Sequence, residues 1–287
     1  MKSIKNNLVA AFSALLMMQF TANAQTLKTP APSPTQSIKQ AFGLADISID
    51  YSRPSMKGRV VYGDLVPFGK IWRTGANAST KITFGDDVKV EGTPVAAGTY
   101  AIYTIPDKEE WQIMLYKDLT LGGNVADYKA ENELIRVKVK SNRMVDKVET
   151  FTINFAELTS NSTKVELTWE NTRVGFALTT DIDAKIMKNI ETAMAPGDKR
   201  PYYQAASYYF DNGKDLKQAL EWSKLAMEQD PKAYWVALLN AKILLKMNDA
   251  KGATAAAEKV IALAKEDKNE DYIKRGEKVI ADAKAIK

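Results

Sequence analysis

Neither cysteine nor histidine occurs among the 287 residues. Without cysteine there are no disulfides, no thiolate nucleophiles and no Cys-built metal sites, so the chain must be stable on packing alone. Without histidine the Ser-His-Asp and Cys-His systems, His-built zinc sites and the commonest general base near neutral pH all fall away. Chemistry in such a chain runs on carboxylates, lysine, arginine, tyrosine or a bound cofactor, and no motif calls for a cofactor or a metal. A charge bias is lacking too: the net charge is +5, the lysines are scattered, and no basic block points to nucleic acid. Long apolar runs are confined to Leu8–Phe20, which follows Lys2 and Lys5 and precedes Ala22-Asn23-Ala24. A basic start, an apolar core shorter than the roughly 18 residues of a span, and an A-x-A site read as a signal peptide over 1–24, cleaved between Ala24 and Gln25. The expectation is a periplasmic or secreted protein with no membrane span after cleavage.

Gln25 opens a stretch with Pro30, Pro32 and Pro34 at alternate positions, read as an extended tether over 25–40. From 41 to 180 the apolar residues alternate. Ile47-Ile49-Tyr51, Trp111-Ile113-Leu115, Ile135-Val137-Val139, Phe151-Ile153-Phe155, Val165-Leu167-Trp169 and Val174-Phe176-Leu178 each place one face inward. Turn signals at Gly85-Asp86-Asp87, Gly92-Thr93-Pro94, Pro106-Asp107 and Asn161-Ser162 separate them. Eight or nine short strands without intervening helices predict an antiparallel β-sandwich or jelly-roll-like domain. At Asp181 the period lengthens, with Ile182, Ile186 and Ile190 on one helical face, and 181–287 reads as all-α. Ala219 and Ala226 recur 34 residues later as Ala253 and Val260, and Pro231 closes the first unit. That register resembles two degenerate tetratricopeptide units, about 200–233 and 234–267, with a closing helix over 269–286. A generic bundle of helical hairpins is the plainer alternative. Asp215 followed by Gln218 approximates a capping box, and Gly213 reads as a helix C-cap.

The densest cluster of polar and aromatic residues is "FGKIWRTGANAST", Phe68 to Thr80. With Tyr51-Ser52-Arg53-Pro54, Gly58-Arg59, Gly98-Thr99-Tyr100 and Ile105-Pro106 it resembles a family of exported bacterial proteins known as domain of unknown function 2911, over about 41–178. The resemblance implies an exported β-rich domain and supplies no activity. Members often carry a carboxylate directly after the Asn of Trp-Arg-Thr-Gly-Ala-Asn; here Ala78 stands there. Arg73 offers a planar fork suited to carboxylate, phosphate or sulfate, Trp72 can cover an apolar or sugar face, and Gly75 and Asn77 permit a left-handed turn. Arg53, Arg59, Trp72, Arg73 and Asn77 are therefore ligand-binding candidates. The competing expectation is structural: Arg53, Arg59 and Arg73 pair with Asp46, Asp50 or Asp64 beneath the sandwich, Trp72 is core, and Arg73 and Asn77 shape the turn first.

Other motifs fail. Gly63–Lys70 has five residues between its glycines where a phosphate loop needs four, and the glycine of Asp211–Asp215 stands third where a calcium loop needs it sixth. Carboxylate pairs such as Glu109-Glu110 point to opposite faces of a strand, and no catalytic residue is assigned. In the helical half, Tyr202, Tyr209 and Trp235 are candidates for a concave face that takes a protein or peptide partner. The expected protein is a non-catalytic binding or scaffold protein, its helices docking a partner and its β-domain holding a small anionic or sugar ligand. The alternative is an envelope glycan-active enzyme using Arg, Tyr and carboxylates.

Overall fold

A computed structural model of the chain describes residues 29–197 and 199–286; the expected signal peptide lies outside them. The chain divides between Asp181 and Ile182 into two compact units. The first holds nine antiparallel strands in the order β1-β2-β3-β6-β7-β8-β9-β4-β5. They are β1 (Thr35–Phe42), β2 (Ala45–Ser52), β3 (Thr80–Phe84), β4 (Val88–Val90), β5 (Thr93–Val95), β6 (Gly98–Ile105), β7 (Glu110–Tyr116), β8 (Glu133–Ala156) and β9 (Ser162–Thr179). The second holds six α-helices among the described residues: α1 (Asp183–Ala193), α2 (Tyr202–Asp211), α3 (Leu216–Gln229), α4 (Tyr234–Lys246), α5 (Ala250–Glu266) and α6 (Glu270–Lys284).

β8 is long enough to serve two partners. Residues Glu133 to Lys140 pair with β7, and Ser141 to Ala156 pair with β9. Phe151 N–H donates to the Pro54 carbonyl and Met56 N–H to that of Glu149, so the chain leaving β2 runs beside the far half of β8. The inward residues of β2, β3, β4 and β6 to β9 meet in one core, from Ile47 and Ile49 through Trp111 and Phe151 to Trp169 and Phe176. β4 and β5 are joined by Glu91-Gly92, both at positive φ (46° and 80°), the backbone that matches the twist of a two-residue hairpin.

Four features differ from the sequence expectation. β1 starts at Thr35, inside the segment read as tether; only residues up to Pro34 precede it. Ile135–Val139 and Phe151–Phe155 are one strand, as are Val165–Trp169 and Val174–Leu178, because register shifts within residues 143–152 carry the pairing across the breaks in alternation. Met114, on the face of β7 that alternates with Trp111-Ile113-Leu115 and so is expected outward, is buried with Ala101, Tyr103 and Tyr116 under residues 117–132. Gln218 does not close a capping box: Asp215 accepts from Lys217 N–H and Gln218 N–H, while the Gln218 side chain turns to Glu221.

In the helical unit, Ala219, Ala226, Ala253 and Val260 are all buried. Ala237, Ala241, Ala253, Ala257 and Val260 form its main core with residues of α6. Small side chains let the helices approach closely: a Cβ on Gly276 would stand 2.7 Å from Ile261 Cγ1. One buried polar contact joins α3 to α4, with Asn240 Nδ2 donating to Ser223 Oγ at 2.8 Å and that hydroxyl donating to the Leu220 carbonyl. α1 buries no residue; its Ile186 and Ile190, and Ile182 just before it, are half-covered. Its Asp183 carboxylate accepts from Lys214 Nζ at 2.8 Å and from Tyr208 Oη at 2.7 Å.

Candidate functional site

The long connection between β2 and β3, residues 53–79, carries the site. It is irregular but anchored, because Met56, Val61, Val66 and Trp72 insert into the sandwich core. Trp72 exchanges both backbone hydrogen bonds with Thr104 of β6, and Thr80 N–H returns to the Arg73 carbonyl at 3.2 Å, closing a turn over 73–80. Inside it Thr74, Gly75 and Asn77 have φ of 58°, 148° and 59°. A buried β-branched threonine in that region is strained, and such strain persists only where the surroundings over-determine it. Here the Thr74 hydroxyl meets that of Thr104 at 3.1 Å, and its carbonyl accepts from the Thr80 hydroxyl. At Gly75 a Cβ would lie 2.9 Å from the Ser52 carbonyl oxygen, so only glycine fits.

The turn forms one wall of a cavity of about 310 Å³. Arg59, Arg73 and Asn77 line it together with Ser33, Pro54, Leu65, Val66, Trp72 and Trp169. The two indoles stack with centroids 6.0 Å apart, within a larger aromatic cluster that includes Tyr62, Trp111 and Phe151. Both indole N–H groups are spent inside the protein, Trp72 on the Gly75 carbonyl and Trp169 on that of Glu149. Both rings are almost wholly buried, so they back the cavity while its accessible surface is mostly polar. Trp72 is at once core, with 8% of its surface exposed, and lining.

The arginines are not paired as expected. Asp46 binds Lys39 and Asp50 accepts from the Ser37 hydroxyl, and among the described residues none of Arg53, Arg59 and Arg73 forms an ion pair with a carboxylate. Their partners are mostly carbonyl oxygens, which carry no sequence signature. Arg59 donates through Nε to Met56 and through Nη2 to Ser55. Arg53 spends its fork on the Phe151 carbonyl and the Thr152 hydroxyl and lies outside the cavity walls. Arg73 is the least satisfied: Nη1 reaches the Gly123 carbonyl only at 3.5 Å, and its buried Nε has no partner among the described residues. Such a cation gains most from an anion that its fork can bind.

Asn77 ties the wall to the residues before β1, donating through Nδ2 to the Ser33 carbonyl and the Ser52 hydroxyl, each at 3.3 Å. Behind it, the Tyr103 hydroxyl holds the Gly122 carbonyl at 2.8 Å, and Gly123 packs so tightly that a Cβ would overlap the Asn77 carbonyl oxygen. Sequence reasoning missed Ser33, Leu65, Trp169 and Gly123. The Gly122-Gly123 pair was the available signal, since adjacent glycines permit such close backbone approach.

The helical candidates fall in different places. Tyr202 is half-buried against Ala226, Ala233 and Val236, and its hydroxyl meets Arg200 Nη1 at 3.3 Å. Tyr209 packs edge-on to Trp222 with centroids 4.8 Å apart and lines an apolar cavity beside α1. Trp235 is 38% exposed and lines a second cavity with Lys199 and Arg200. No group of three or more acidic residues able to hold a metal occurs among the described residues, and none of their helices is long and apolar enough to cross a membrane.

No curated protein and no solved structure matches the chain. A family model does, over residues 33–178, which contain every wall of the cavity between Arg59 and Arg73 as well as β1 to most of β9. The chain belongs to the family described as protein of unknown function (DUF2911).

Proposed function

We propose that the β-domain is a receptor for small organic anions and that the protein acts by binding rather than by catalysis. The observation that carries this reading is the pair Arg59 and Arg73, two guanidinium groups on the walls of one cavity that have no carboxylate partner among the described residues. A guanidinium presents a planar fork that matches a carboxylate, phosphate or sulfate. The lining includes no carboxylate, whereas a glycan-cleaving site of the usual kind needs two.

The helical unit is proposed to dock a protein partner. Supporting this, α3 and α5 start at Leu216 and Ala250, 34 residues apart, with small residues buried at equivalent positions, as stacked tetratricopeptide-like hairpins require. Trp235, the most exposed of the three candidate aromatics, is its proposed contact, with Tyr202 and Tyr209 as supporting packing. The basic, apolar and Ala-x-Ala segments of residues 1–24 support export to the periplasm or beyond.

Thermal-shift measurements on the full chain with acetate, benzoate, sulfate, phosphate, glucuronate and neutral glucose test the receptor reading. A ligand at 100 times its Kd stabilises by about 2.7 kcal/mol. At least one anion should raise the melting temperature while glucose does not, and Arg73→Lys, which keeps the charge and loses the fork, should weaken the effect. Stabilisation by glucose alone would refute it.

A further inference from the structure

The turn that carries Arg73 presents donors from its backbone as well as from its side chains. A peptide unit is planar and trans, so its N–H points opposite to its carbonyl. The Thr74 carbonyl accepts from the buried Thr80 hydroxyl, and the Gly75 carbonyl accepts from the Trp72 indole. The N–H groups of Gly75 and Ala76 belong to those same two peptide units and are turned the other way. Both residues are buried and line the cavity, and neither N–H donates to any group among the described residues. Buried N–H groups without a partner are rare, and here they point to an acceptor that the protein does not supply.

Arg73 Nε–H is a further buried donor without a partner, and Arg59 spends Nε and Nη2 but not Nη1 on carbonyls among the described residues. Acceptors are scarce by comparison. No carboxylate lines the cavity, and the carbonyls of Ser55, Met56, Thr74 and Gly75 already hold donors. An excess of donors of this kind selects among anions. A carboxylate has two oxygens in one plane, and a single guanidinium fork engages both. A tetrahedral oxyanion keeps at least one more oxygen, outside that plane, for the backbone N–H groups.

Resting on the anion-receptor reading, we infer that the cavity takes a tetrahedral oxyanion: a sulfate, sulfonate or phosphate group, free or carried by a small polar molecule. Its oxygens are shared between the guanidinium groups of Arg73 and Arg59 and the N–H groups of Gly75 and Ala76. The volume of about 310 Å³ leaves room beside the anionic group for part of the molecule that carries it, and the mostly polar accessible surface suits a polar carrier.

Isothermal titration of the full chain with methanesulfonate and with acetate, at constant ionic strength, compares a tetrahedral with a planar anion of equal charge. Methanesulfonate should bind about tenfold more tightly or better, the value of one charge-assisted hydrogen bond. In ¹⁵N-labelled protein the backbone amide protons of Gly75 and Ala76 should move downfield as methanesulfonate saturates, and less with acetate. Inorganic sulfate against glucose 6-sulfate separates the sources: tighter binding of the sugar ester assigns a carried group, and tighter binding of sulfate assigns the free ion. If acetate binds as tightly as methanesulfonate, or if the Gly75 and Ala76 amides stay still while methanesulfonate saturates, the inference falls and the anion receptor stands. If no anion binds, both fall.

Discussion

Replacing Gly75 by alanine tests whether the turn that carries Arg73 and Asn77 is built as tightly as its geometry states. Gly75 sits at φ 148°, where an L-residue is strained by about 1–3 kcal/mol. Its new Cβ would stand 2.9 Å from the Ser52 carbonyl oxygen and 3.3 Å from Thr80 Oγ1. The first of these is buried backbone at the end of β2 and cannot rotate away, so overpacking adds about 1–3 kcal/mol. The loss should be about 2–6 kcal/mol, a large share of the roughly 5–15 kcal/mol that holds a domain together. Gly92→Ala is the control: its φ of 80° is also left-handed, but nothing lies within 4 Å of the added carbon, and only about 1–2 kcal/mol is expected. Urea unfolding followed by near-UV circular dichroism reads the aromatic cluster around Trp72, Trp111 and Trp169 directly. Gly75→Ala should lower the midpoint clearly more than Gly92→Ala. Equal losses would refute the packing argument and leave only a conformational preference.

Other consequences follow from particular contacts. Ser223→Ala strips Asn240 Nδ2 of its buried acceptor and should cost about 1–3 kcal/mol in denaturant midpoint, whereas Ser223→Ala with Asn240→Leu should recover much of that loss; no recovery would show that the pair is not the cause. Asp183 is held below the usual carboxylate range by the hydrogen bond from Lys214 first and that from Tyr208 second. Its contribution is therefore present above the unfolded pKa, near 4, and is lost as pH falls through the depressed folded value. Thermal melts of wild type and Asp183→Asn should accordingly converge at the acid end, and a constant difference from pH 7 to pH 2 would contradict this. Burial, and secondarily Glu170, pushes the Tyr62 hydroxyl far above its ordinary value. In an ultraviolet titration that compares wild type with Tyr62→Phe, the two should differ in tyrosinate only once the fold is lost in alkali.

How much of this was legible in the sequence depends on where each hydrogen bond goes. β2 and β7 could be read from Ile47-Ile49-Tyr51 and Trp111-Ile113-Leu115 because one face of each meets the core and period two records it. β4 and β5, three residues each, are too short for a period to register. β8 and β9 each read as two strands, since the apolar alternation lapses between Val139 and Phe151 and between Trp169 and Val174. In the fold Glu170 takes a φ of 54° inside the strand, and Asn171 bonds the Met144 and Val145 carbonyls across an irregular stretch. Met114 was assigned outward because nothing in the alternation shows that residues 117–132 cover the second face. At the site, Trp72, Arg73 and Asn77 could be singled out by residue type, and Gly75 by its turn chemistry. The assembly of Ser33 and Trp169 around them could not, since it depends on contacts across more than forty and ninety positions of chain. The expected Arg–Asp pairs failed for a related reason: counting charges cannot reveal that backbone carbonyls have taken their place.

The central claim is that Arg73 and Arg59 together hold an anion. The side-chain Nε–H resonances of arginine report it most directly, in a titration of ¹⁵N-labelled full-length protein. With the anion that gives the largest thermal shift as titrant, the Arg73 signal, assigned by its disappearance in Arg73→Lys, should move furthest, because that Nε is buried without a partner among the described residues. The Arg59 signal should follow, and that of Arg53, bonded to the Phe151 carbonyl outside the cavity, should stay still. Saturable shifts confined to Arg53 or Arg200, with Arg73 unmoved, would contradict the account.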